Sequence, residues 1–343
     1  MAARSTTREV ASAAGVSLAT VSLVLNNKPG VSEETRRRVV AAMERLGYQR
    51  RPAAAGTALT LGLLIERLPV PAFADPAVGL MVQGVESAAG QRGYHVLLAT
   101  VEAGATDLPA MLTERQVDGL IVLGGGDIAD DYIRLLVTTG IPLVLADNFV
   151  DGLVVSCVLG DNVTGGYLIT KHLLDLGHRR IAMLTGPRKY KTLTERLEGY
   201  QRAMDEASIG RDPGLLVPPV HGAPRKGYTQ TRTLLAGPRP LWPTAIFAVS
   251  DKTALGALEA LKEAGLRVPD DMTLVAFDDI ADSAHVTPAL TTVRLPMQAI
   301  GAVAVGRLIE LIQGVQTLPT KTLLYTELIV RASAAAPRQA VPA

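Results

Sequence analysis

Residues 6–48 read TTREVASAAGVSLATVSLVLNNKPGVSEETRRRVVAAMERLGY, and capping and turn residues divide this stretch into short helices. Thr6 and Glu9 have the spacing of a capping box, in which a hydroxyl and a carboxylate satisfy free N–H groups at a helix start. This pair predicts a first helix over about residues 7–14. Gly15 then permits the backbone conformation that a sharp turn needs.

Two further helices follow the turn. Ser17 is placed to cap a second helix over about residues 18–26, and Pro29 breaks the chain after it. Ser32 is placed to cap a third helix, which ends near Leu46. Three short helices with a tight turn between the first two form a helix-turn-helix, a motif that places its second helix in the major groove of DNA. Capping signals alone leave open a three-helix subdomain with no role in nucleic-acid binding.

The charge distribution favours DNA binding. Residues 1–51 contain nine Lys or Arg and four Asp or Glu, a net charge of +5, whereas the whole chain of 343 residues has a net charge of +1. Basic side chains that neutralise DNA phosphates release condensed counterions, so a basic head on a mildly acidic body suits a DNA-binding protein.

Beyond Pro52, apolar runs alternate with amphipathic stretches. Strands are predicted over residues 61–65, 96–99, 119–123, 143–146, 181–184, 245–248 and 273–277. Helices are predicted between them, over residues 77–90, 165–176, 197–206 and 253–264. Repeated strand–helix units predict parallel sheets with a ligand crevice at the carboxyl ends of the strands. The repeats are enough for two sheets, so we expect an α/β fold with an all-α headpiece and a two-lobed body.

Composition and motifs argue against several classes of protein. The single Cys157 excludes a disulfide framework within the chain and a cysteine-rich zinc site. The five histidines lack metal-ligand spacing, and no nucleophile lies in a catalytic motif. The N-terminus lacks the apolar segment of a secretory signal, and no apolar run reaches the roughly 18 residues of a membrane span. We therefore expect a cytoplasmic protein with no membrane segment, no metal ion, no cofactor and no enzymatic activity.

Several segments resemble the lactose-repressor (LacI) family of bacterial transcriptional regulators. In the head these segments are AGVSLATVSLVLN, VSEETRRRV and LGY. In the body they are HLLDLGHRRIAMLTGP, RLEGY, SDKTALGAL, VAFDD and PALTTV, and this region also resembles periplasmic sugar-binding proteins. The resemblance implies a repressor that binds a palindromic double-stranded operator as a homodimer. It also implies a small-molecule effector, a sugar or a sugar derivative, between the two lobes.

The resemblance further implies a domain organisation. The DNA-binding domain comprises residues 1–48, the hinge or linker 49–59, and the effector-binding and dimerisation domain 60–333. The N lobe then comprises residues 60–177 and 292–317, and the C lobe comprises 178–291 and 318–333. The Ala- and Pro-rich residues 334–343 are expected to be disordered, and they show no heptads for a tetramerising helix. Bound to its operator, such a dimer would associate with the nucleoid.

The resemblance places DNA contacts in the headpiece. The positions that match phosphate or base-edge contacts in the family are Thr6, Ser17, Thr20, Ser22, Asn26 and Ser32, and each side chain has a hydroxyl or an amide. The base-reading positions are Leu18, Ala19 and Leu23. Position 23 often holds Arg or His in the family. An apolar side chain there reads thymine methyl groups but cannot bind guanine through two hydrogen bonds.

The linker departs from the family pattern. Leu59 lies seven residues after Pro52, as does the family leucine that wedges into the minor groove. It also lies where the first strand of the body begins, and Gly56 weakens a helix by roughly 1 kcal/mol relative to Ala. A hinge helix and a flexible or shortened linker therefore both remain open.

The resemblance also places the effector site. It selects Arg196, Asp278, the pair Ser250 and Asp251, and Asp161. An arginine and an aspartate that face each other across a cleft suit a polyhydroxylated ligand, because one donates hydrogen bonds and the other accepts them. Asp251 has an alternative role as the cap of a helix that begins at Thr253, and Asp279 has an alternative role as a solvated turn residue.

Basic loop residues near Arg196 leave the charge of the effector open. These residues are Arg188, Lys189, Lys191, Arg225 and Lys226. They indicate either an anionic metabolite, such as a sugar phosphate or an organic acid, or simply a solvated basic loop.

The alternative to a transcriptional regulator is a small-molecule-binding protein or an enzyme on the same α/β body, without operator specificity.

Overall fold

The computed structural model describes most of the chain. The described residues are 7–17, 20, 21, 24, 31–46, 59–67, 75–114, 116–124, 128–220, 225–315 and 317–338. The strands are β1 (Thr60–Glu66), β2 (His95–Val101), β3 (Gly119–Leu123), β4 (Leu143–Ala146), β5 (Ser156–Gly160), β6 (Ile181–Leu184), β7 (Leu216–Val217), β8 (Ala245–Ala248), β9 (Thr273–Asp278), β10 (Thr291–Arg294), β11 (Lys321–Leu324) and β12 (Glu327–Ile329).

The helices in the same residues are α1 (Thr7–Ala14), α2 (Glu33–Arg45), α3 (Pro76–Gly90), α4 (Ala110–Thr113), α5 (Asp130–Thr138), α6 (Asn162–Asp175), α7 (Lys191–Glu206), α8 (Lys226–Leu235), α9 (Asp251–Glu263), α10 (Ala281–His285) and α11 (Met297–Gln313). None of the described helices is both long and apolar enough to cross a membrane.

The headpiece begins with α1, as the capping pattern predicted. Between α1 and α2, residues 20, 21 and 24 are helical, which agrees with the predicted second helix. The oxygen of Ser17 accepts a hydrogen bond from the Thr20 amide at 3.1 Å, and Ser32 accepts one from the Thr35 amide at 3.2 Å. Both predicted caps are therefore confirmed.

A small apolar core and two arginines hold the headpiece together. Val10, Val21 and Val39 are buried in this core. Arg38 on α2 donates to the carbonyl of Ala14 at 2.6 Å, and Arg45 reaches the same helix end. Such donors satisfy the free carbonyls at the end of α1, where a positive side chain also complements the helix dipole.

The body contains two six-stranded sheets. The first has the strand order β11-β5-β4-β3-β1-β2, and all its pairs are parallel. The second has the order β12-β10-β9-β8-β6-β7 and is parallel except for its antiparallel edge strand β12. The predicted fold class is confirmed, and each of the seven predicted strands coincides with an observed strand. The strands β5, β7, β10, β11 and β12 were not predicted.

Close helix pairs pack against the sheets. Helix α11 lies so near α3 that a Cβ atom at Gly84 would be 2.0 Å from the carbonyl oxygen of Gln298. Helix α6 lies equally near α7, where a Cβ at Gly166 would be 2.4 Å from the carbonyl oxygen of Arg196. Glycine is required at both positions because any side chain would separate the helices. The second contact fixes the backbone of Arg196.

The chain crosses between the lobes at different points from those expected. The first crossing follows β5 at Asp161, because the next helix, α6, packs on α7 of the second lobe. The second lies at Leu295 and Pro296, after β10, and the third lies at Tyr325 and Thr326, between β11 and β12. The expected crossings near 177, 291 and 318 are therefore corrected. The strands that set these boundaries are β5, β10, β11 and β12, which lie at or next to the edges of the sheets and were not predicted.

The C-terminal segment also differs from its expectation. Residues 334–338, expected to belong to a disordered tail, lie against the second lobe. The Ala335 amide donates to Thr273 Oγ1 at 3.1 Å, and the Ala335 carbonyl lies 2.8 Å from His178 Nε2. Backbone hydrogen bonds to buried side chains order this segment despite its composition. Residues 339–343 lie outside the described residues.

Candidate functional site: a cleft between the lobes

The carboxyl ends of the strands in the two sheets face each other across a cleft. Glu66 ends β1 in the first lobe, and its carboxylate lies 3.4 Å from the Tyr190 hydroxyl of the second lobe. Lys191 of the second lobe donates to Asp130 at 2.8 Å and to the carbonyl of Phe149 at 3.0 Å, both in the first lobe. Parallel sheets bind ligands at this edge of the strands, so the cleft is the candidate effector site.

Arg196 lies on α7 of the second lobe and is 3% exposed. Its guanidinium lies 2.9 Å from the carboxylate of Asp278 and donates to the carbonyl of Val249 at 2.7 Å. Its Nε donates to Asn162 at 3.0 Å, and the guanidinium plane lies 3.9 Å from the centre of the Phe277 ring. The structure therefore brings Arg196 and Asp278 together. Both residues belong to the second lobe, so the expectation that they face each other across the cleft is wrong.

The backbone at the end of β9 is held in the left-handed region. Asp278 has φ of 119° and Asp279 has φ of 60°, which costs free energy for residues other than glycine. The Asp279 side chain is largely buried and accepts hydrogen bonds from Arg294 at 2.8 Å and from Arg331 at 2.6 Å. The alternative of a solvated turn residue is therefore wrong, because two arginines hold Asp279 beside the second and third crossings.

Asp147 is a cleft residue that the sequence analysis missed. It follows β4 with φ of 52°, and its Oδ1 is buried without a hydrogen-bond partner among the described residues. Burial raises the pKa of Asp147 to about 6, although the nearby charge of Arg196 lowers it. Burial likewise raises the pKa of Asp278 to about 7, against the effect of Arg196 and with that of Asp251. A polar residue directly after an apolar strand was the available sequence signal.

The other three predicted effector residues make hydrogen bonds within the fold. Ser250 caps α9, and its hydroxyl accepts from the Thr253 amide at 3.3 Å. Asp251 is fully buried and accepts from the Ile280 amide, the Ser283 hydroxyl and the Thr292 hydroxyl at 2.9, 2.6 and 2.6 Å. Asp161 caps α6. Ser250, and not Asp251, therefore caps α9. The hydrogen bonds of Asp251 connect α9 to β10, to α10 and to the residue before α10.

The basic loop residues differ in their surroundings. Lys191 is paired with Asp130, as described above, and lies above the Phe149 ring. Arg225 forms an ion pair with Glu259 and stacks on Tyr228 at 4.1 Å. Arg188 is exposed. The positive charges that suggested an anionic effector are thus partly neutralised by neighbouring carboxylates.

The predicted DNA contacts are described in part. Ser17 and Ser32 are exposed, and Thr20 is half-buried. Thr6, Leu18, Ala19, Ser22, Leu23 and Asn26 lie outside the described residues, as do linker residues 49–58. Leu59 is 40% exposed, and its carbonyl accepts from the His95 amide at 2.7 Å. Its backbone therefore continues the pairing of β1 with β2.

Known proteins share both parts of this architecture. Residues 6–51 match the family of bacterial regulatory proteins described as the lacI family, and residues 170–334 match the periplasmic binding protein-like domain. The chain is 33% identical over 317 residues to the ribose operon repressor of Haemophilus influenzae, covering 90% of this chain and 92% of that protein.

Two solved structures of regulators also match nearly the whole chain. The complex of the transcriptional regulator CelR with cellobiose is 32% identical with a TM-score of 0.70, and the match covers 96% of this chain and 100% of that one. A lac repressor dimer bound to its operator and the anti-inducer ONPF is 30% identical with a TM-score of 0.70, and the match covers 97% and 100%.

Proposed function

This chain belongs to the LacI family of bacterial regulatory proteins, and we propose that it is a dimeric repressor that binds a palindromic operator and is gated by a neutral polyhydroxylated effector. Its relatives are transcriptional repressors, not enzymes. The lac repressor structure is a dimer on its operator, and a helix-turn-helix dimer reads two half-sites that are one or more helical turns apart. We assign DNA binding to residues 1–48 and effector binding to the body.

The observation that carries the proposal is the unsatisfied polar group in the cleft. Asp147 presents a buried carboxylate oxygen with no described partner, close enough to Arg196 for their charges to interact. A buried polar atom without a hydrogen bond costs about 1–3 kcal/mol, which a ligand hydroxyl would recover. The guanidinium of Arg196 has five N–H donors, so it supports donation to a ligand oxygen beside its bond to Asp278.

The charges in the cleft favour a neutral effector. Asp278 contacts the guanidinium of Arg196 and Asp147 lies close enough to interact with its charge, so among the described residues two acidic groups act on one buried base. An anionic ligand would place a third negative charge beside them, at a large cost in a buried site. Neutral hydroxyls instead donate to carboxylates. CelR was solved with cellobiose, which agrees with a sugar of this class.

Gating would act through the polar contacts between the lobes. Lys252 at the start of α9 forms an ion pair with Asp75 at the start of α3, at 2.8 Å, across the cleft. With Lys191 and Tyr190, it links the second lobe to the first. A ligand shifts the equilibrium between two lobe arrangements only as far as it binds one of them more tightly. The lobe arrangement would then set the spacing of the two headpieces.

The proposal is tested by fluorescence anisotropy of a labelled operator in the presence of candidate effectors. We expect a neutral sugar to change operator affinity in the wild type and to have no effect in Asp278→Asn, while the variant without sugar still binds DNA. Asp175→Asn, on an exposed residue that pairs with Lys171, is the matched control and should respond as the wild type does. A response to a sugar phosphate but not to the neutral sugar would contradict the proposed effector class.

A further inference from the structure

A second concave surface lies on the first lobe, apart from the cleft. It is a largely open depression of about 450 Å³, and its lining includes Arg92, Gly306, Arg307 and Glu310 together with Thr320 and Thr322. Arg92 follows α3, residues 306–310 belong to α11, and Thr322 lies on the edge strand β11. Three separate elements of the lobe therefore converge on this cavity. None of the residues assigned to effector or operator binding lines it.

Arg307 is a buried arginine with unused hydrogen-bond donors. It is 8% exposed; its Nη1 donates to Glu310 at 3.1 Å and its Nη2 donates to the carbonyl of Leu318. Its Nε is buried and has no partner among the described residues. A guanidinium carries five N–H donors, so these bonds leave the group incompletely satisfied. Buried charged groups are stable only when their polar atoms find partners.

Arg92 adds a second guanidinium at the mouth of the cavity. It is exposed, and its Nη1 donates to the Ala88 carbonyl at 2.9 Å. A Cβ atom at Gly306 would lie 3.9 Å from its Nη2, so the guanidinium rests against α11. The lining contains two arginines and one carboxylate, that of Glu310. The cavity therefore has a net positive charge, and Thr320 and Thr322 add neutral hydroxyl donors.

We propose that this cavity binds the phosphate group, either as free phosphate or as the phosphomonoester of a metabolite. The planar fork of a guanidinium matches two phosphate oxygens, and hydroxyl groups fit the remaining ones. The bound group would bridge α11 and β11, and β11 leads directly into the third crossing at Tyr325 and Thr326. A phosphate group bound at this site would thus affect the connection between the lobes from outside the cleft.

The test is calorimetric titration of the full chain, at constant ionic strength in phosphate-free buffer, with inorganic phosphate and with glucose 6-phosphate. We expect saturable binding in the wild type and an affinity about tenfold lower in Arg92→Gln, as for the loss of one charge-assisted hydrogen bond. Arg307→Lys keeps the charge and loses the fork, and we expect it to weaken binding as well. Thermal unfolding of both variants verifies that they fold.

Arg179→Gln is the matched control, because Arg179 is also exposed and also donates to a carbonyl near a helix end, that of Leu174. It should bind as the wild type does. If inorganic phosphate and glucose 6-phosphate bind with equal affinity, and Arg92→Gln weakens the binding of both, the site is assigned to free phosphate. Tighter binding of glucose 6-phosphate with the same loss assigns it to a phosphorylated metabolite. No saturable binding, or binding that Arg92→Gln leaves unchanged, overturns the proposal.

Discussion

Arg196 depends on acceptors from three parts of the second lobe. Asn162, Val249 and Asp278 each take a hydrogen bond or an ion pair from its guanidinium, and the Phe277 ring covers one face. A buried pair of this kind contributes little net stability, but removing one partner leaves the other charged and buried. The residue is therefore needed both for the fold of the lobe and for the proposed ligand contacts.

At this scale we expect Arg196→Met to lower the free energy of unfolding by about 3–5 kcal/mol and to abolish the effector response. Urea unfolding followed by circular dichroism measures the first quantity. The control is Arg202→Gln, which removes an exposed arginine paired with Glu206 on the same helix and should cost less than about 1 kcal/mol. A variant at position 196 as stable as that control would contradict the central role of Arg196.

The raised pKa values of the cleft carboxyls predict a pH-dependent effector affinity. Ionised Asp278 and Asp147 accept hydrogen bonds from ligand hydroxyls, so binding favours the deprotonated forms and releases protons. With pKa values of about 7 and about 6, affinity should be highest at alkaline pH and should fall as the pH decreases through 7 and then through 6. Titrations at several pH values measure this. Asp147→Asn should remove the part of the decrease in affinity that lies near the pKa of Asp147. An effector affinity that does not change with pH in the wild type would contradict the assignment of these carboxylates to effector binding.

Sequence information identified part of the cleft. Arg196 and Asp278 lie in the segments RLEGY and VAFDD, whose resemblance to the family carried their positions into the prediction. Asp147 has no such segment, and only the fold shows that its carboxylate oxygen is buried without a hydrogen-bond partner among the described residues. The role of Asp251 did not follow from the sequence, because a carboxylate at a helix start can serve equally as a cap, a ligand contact or an acceptor for hydrogen bonds within the fold.

At the scale of the element, the turn of the headpiece depends on glycine. Gly15 has φ of +63°, and a Cβ atom there would lie 2.9 Å from Arg38 Nη2, the group that holds the end of α1. A left-handed conformation costs roughly 1–2 kcal/mol for other residues. We therefore expect Gly15→Ala to destabilise the headpiece by about this amount and to weaken operator binding.

The control for the turn is Gly90→Ala, at the end of α3, where φ is not positive and a Cβ would meet nothing within 4 Å. It should be neutral or slightly stabilising, because alanine favours helix. Thermal melting and operator titration of both variants make the comparison. Equal behaviour of the two would mean that the turn does not require glycine.

The C-terminal segment predicts a second pH effect. His178 Nδ1 lies 2.8 Å from Thr244 Oγ1, and its Nε2 lies 2.8 Å from the Ala335 carbonyl. Burial lowers the pKa of His178 below its usual 6.5, more than the hydrogen bond to Ala335 raises it. As the pH falls, His178 therefore takes up a proton in the unfolded chain before it does so in the folded chain. The stability contributed by neutral His178 is complete above pH 6.5 and is lost as the pH falls through the lower pKa of the folded state.

Urea unfolding at pH 7.5 and at pH 5.5 measures this loss of stability. His178→Gln should reduce the difference between the two pH values, whereas His95→Gln, at an exposed position, should leave it as in the wild type. The same difference in His178→Gln as in the wild type would show that other groups cause the effect.

At the scale of the whole molecule, the two shortest of the described ion pairs between the lobes lie beside the cleft. They join Lys252 to Asp75 and Lys191 to Asp130, each at 2.8 Å. Partly exposed pairs contribute up to about 1 kcal/mol each. We expect the double variant Lys252→Ala, Lys191→Ala to have a larger radius of gyration by X-ray scattering and an effector affinity about threefold to tenfold lower.

The matched control is Lys171→Ala, which breaks a pair with Asp175 within a single helix. Its scattering curve and its effector affinity should equal those of the wild type. If the double variant also remained unchanged, the two pairs would not contribute to closure of the lobes.

The two-lobed architecture followed from the sequence because strands and helices alternate strongly enough for two parallel sheets. The crossings did not follow, because β10, β11 and β12 have only three or four residues each and lie near sheet edges. Their pairing partners, and not their own apolar pattern, determine which lobe they join. Residues 334–338 were misassigned for a related reason, since long-range hydrogen bonds order them.

We expect this chain to bind a specific DNA sequence under the control of a small molecule. Selection of bound duplexes from a random library by the purified full chain, at about 0.15 M salt, tests it most directly, followed by effector titration on the recovered sequence. We expect a palindrome whose affinity for the protein a neutral sugar changes in the wild type but not in Asp278→Asn. Recovery of no common sequence, with binding that depends only on salt, would contradict it.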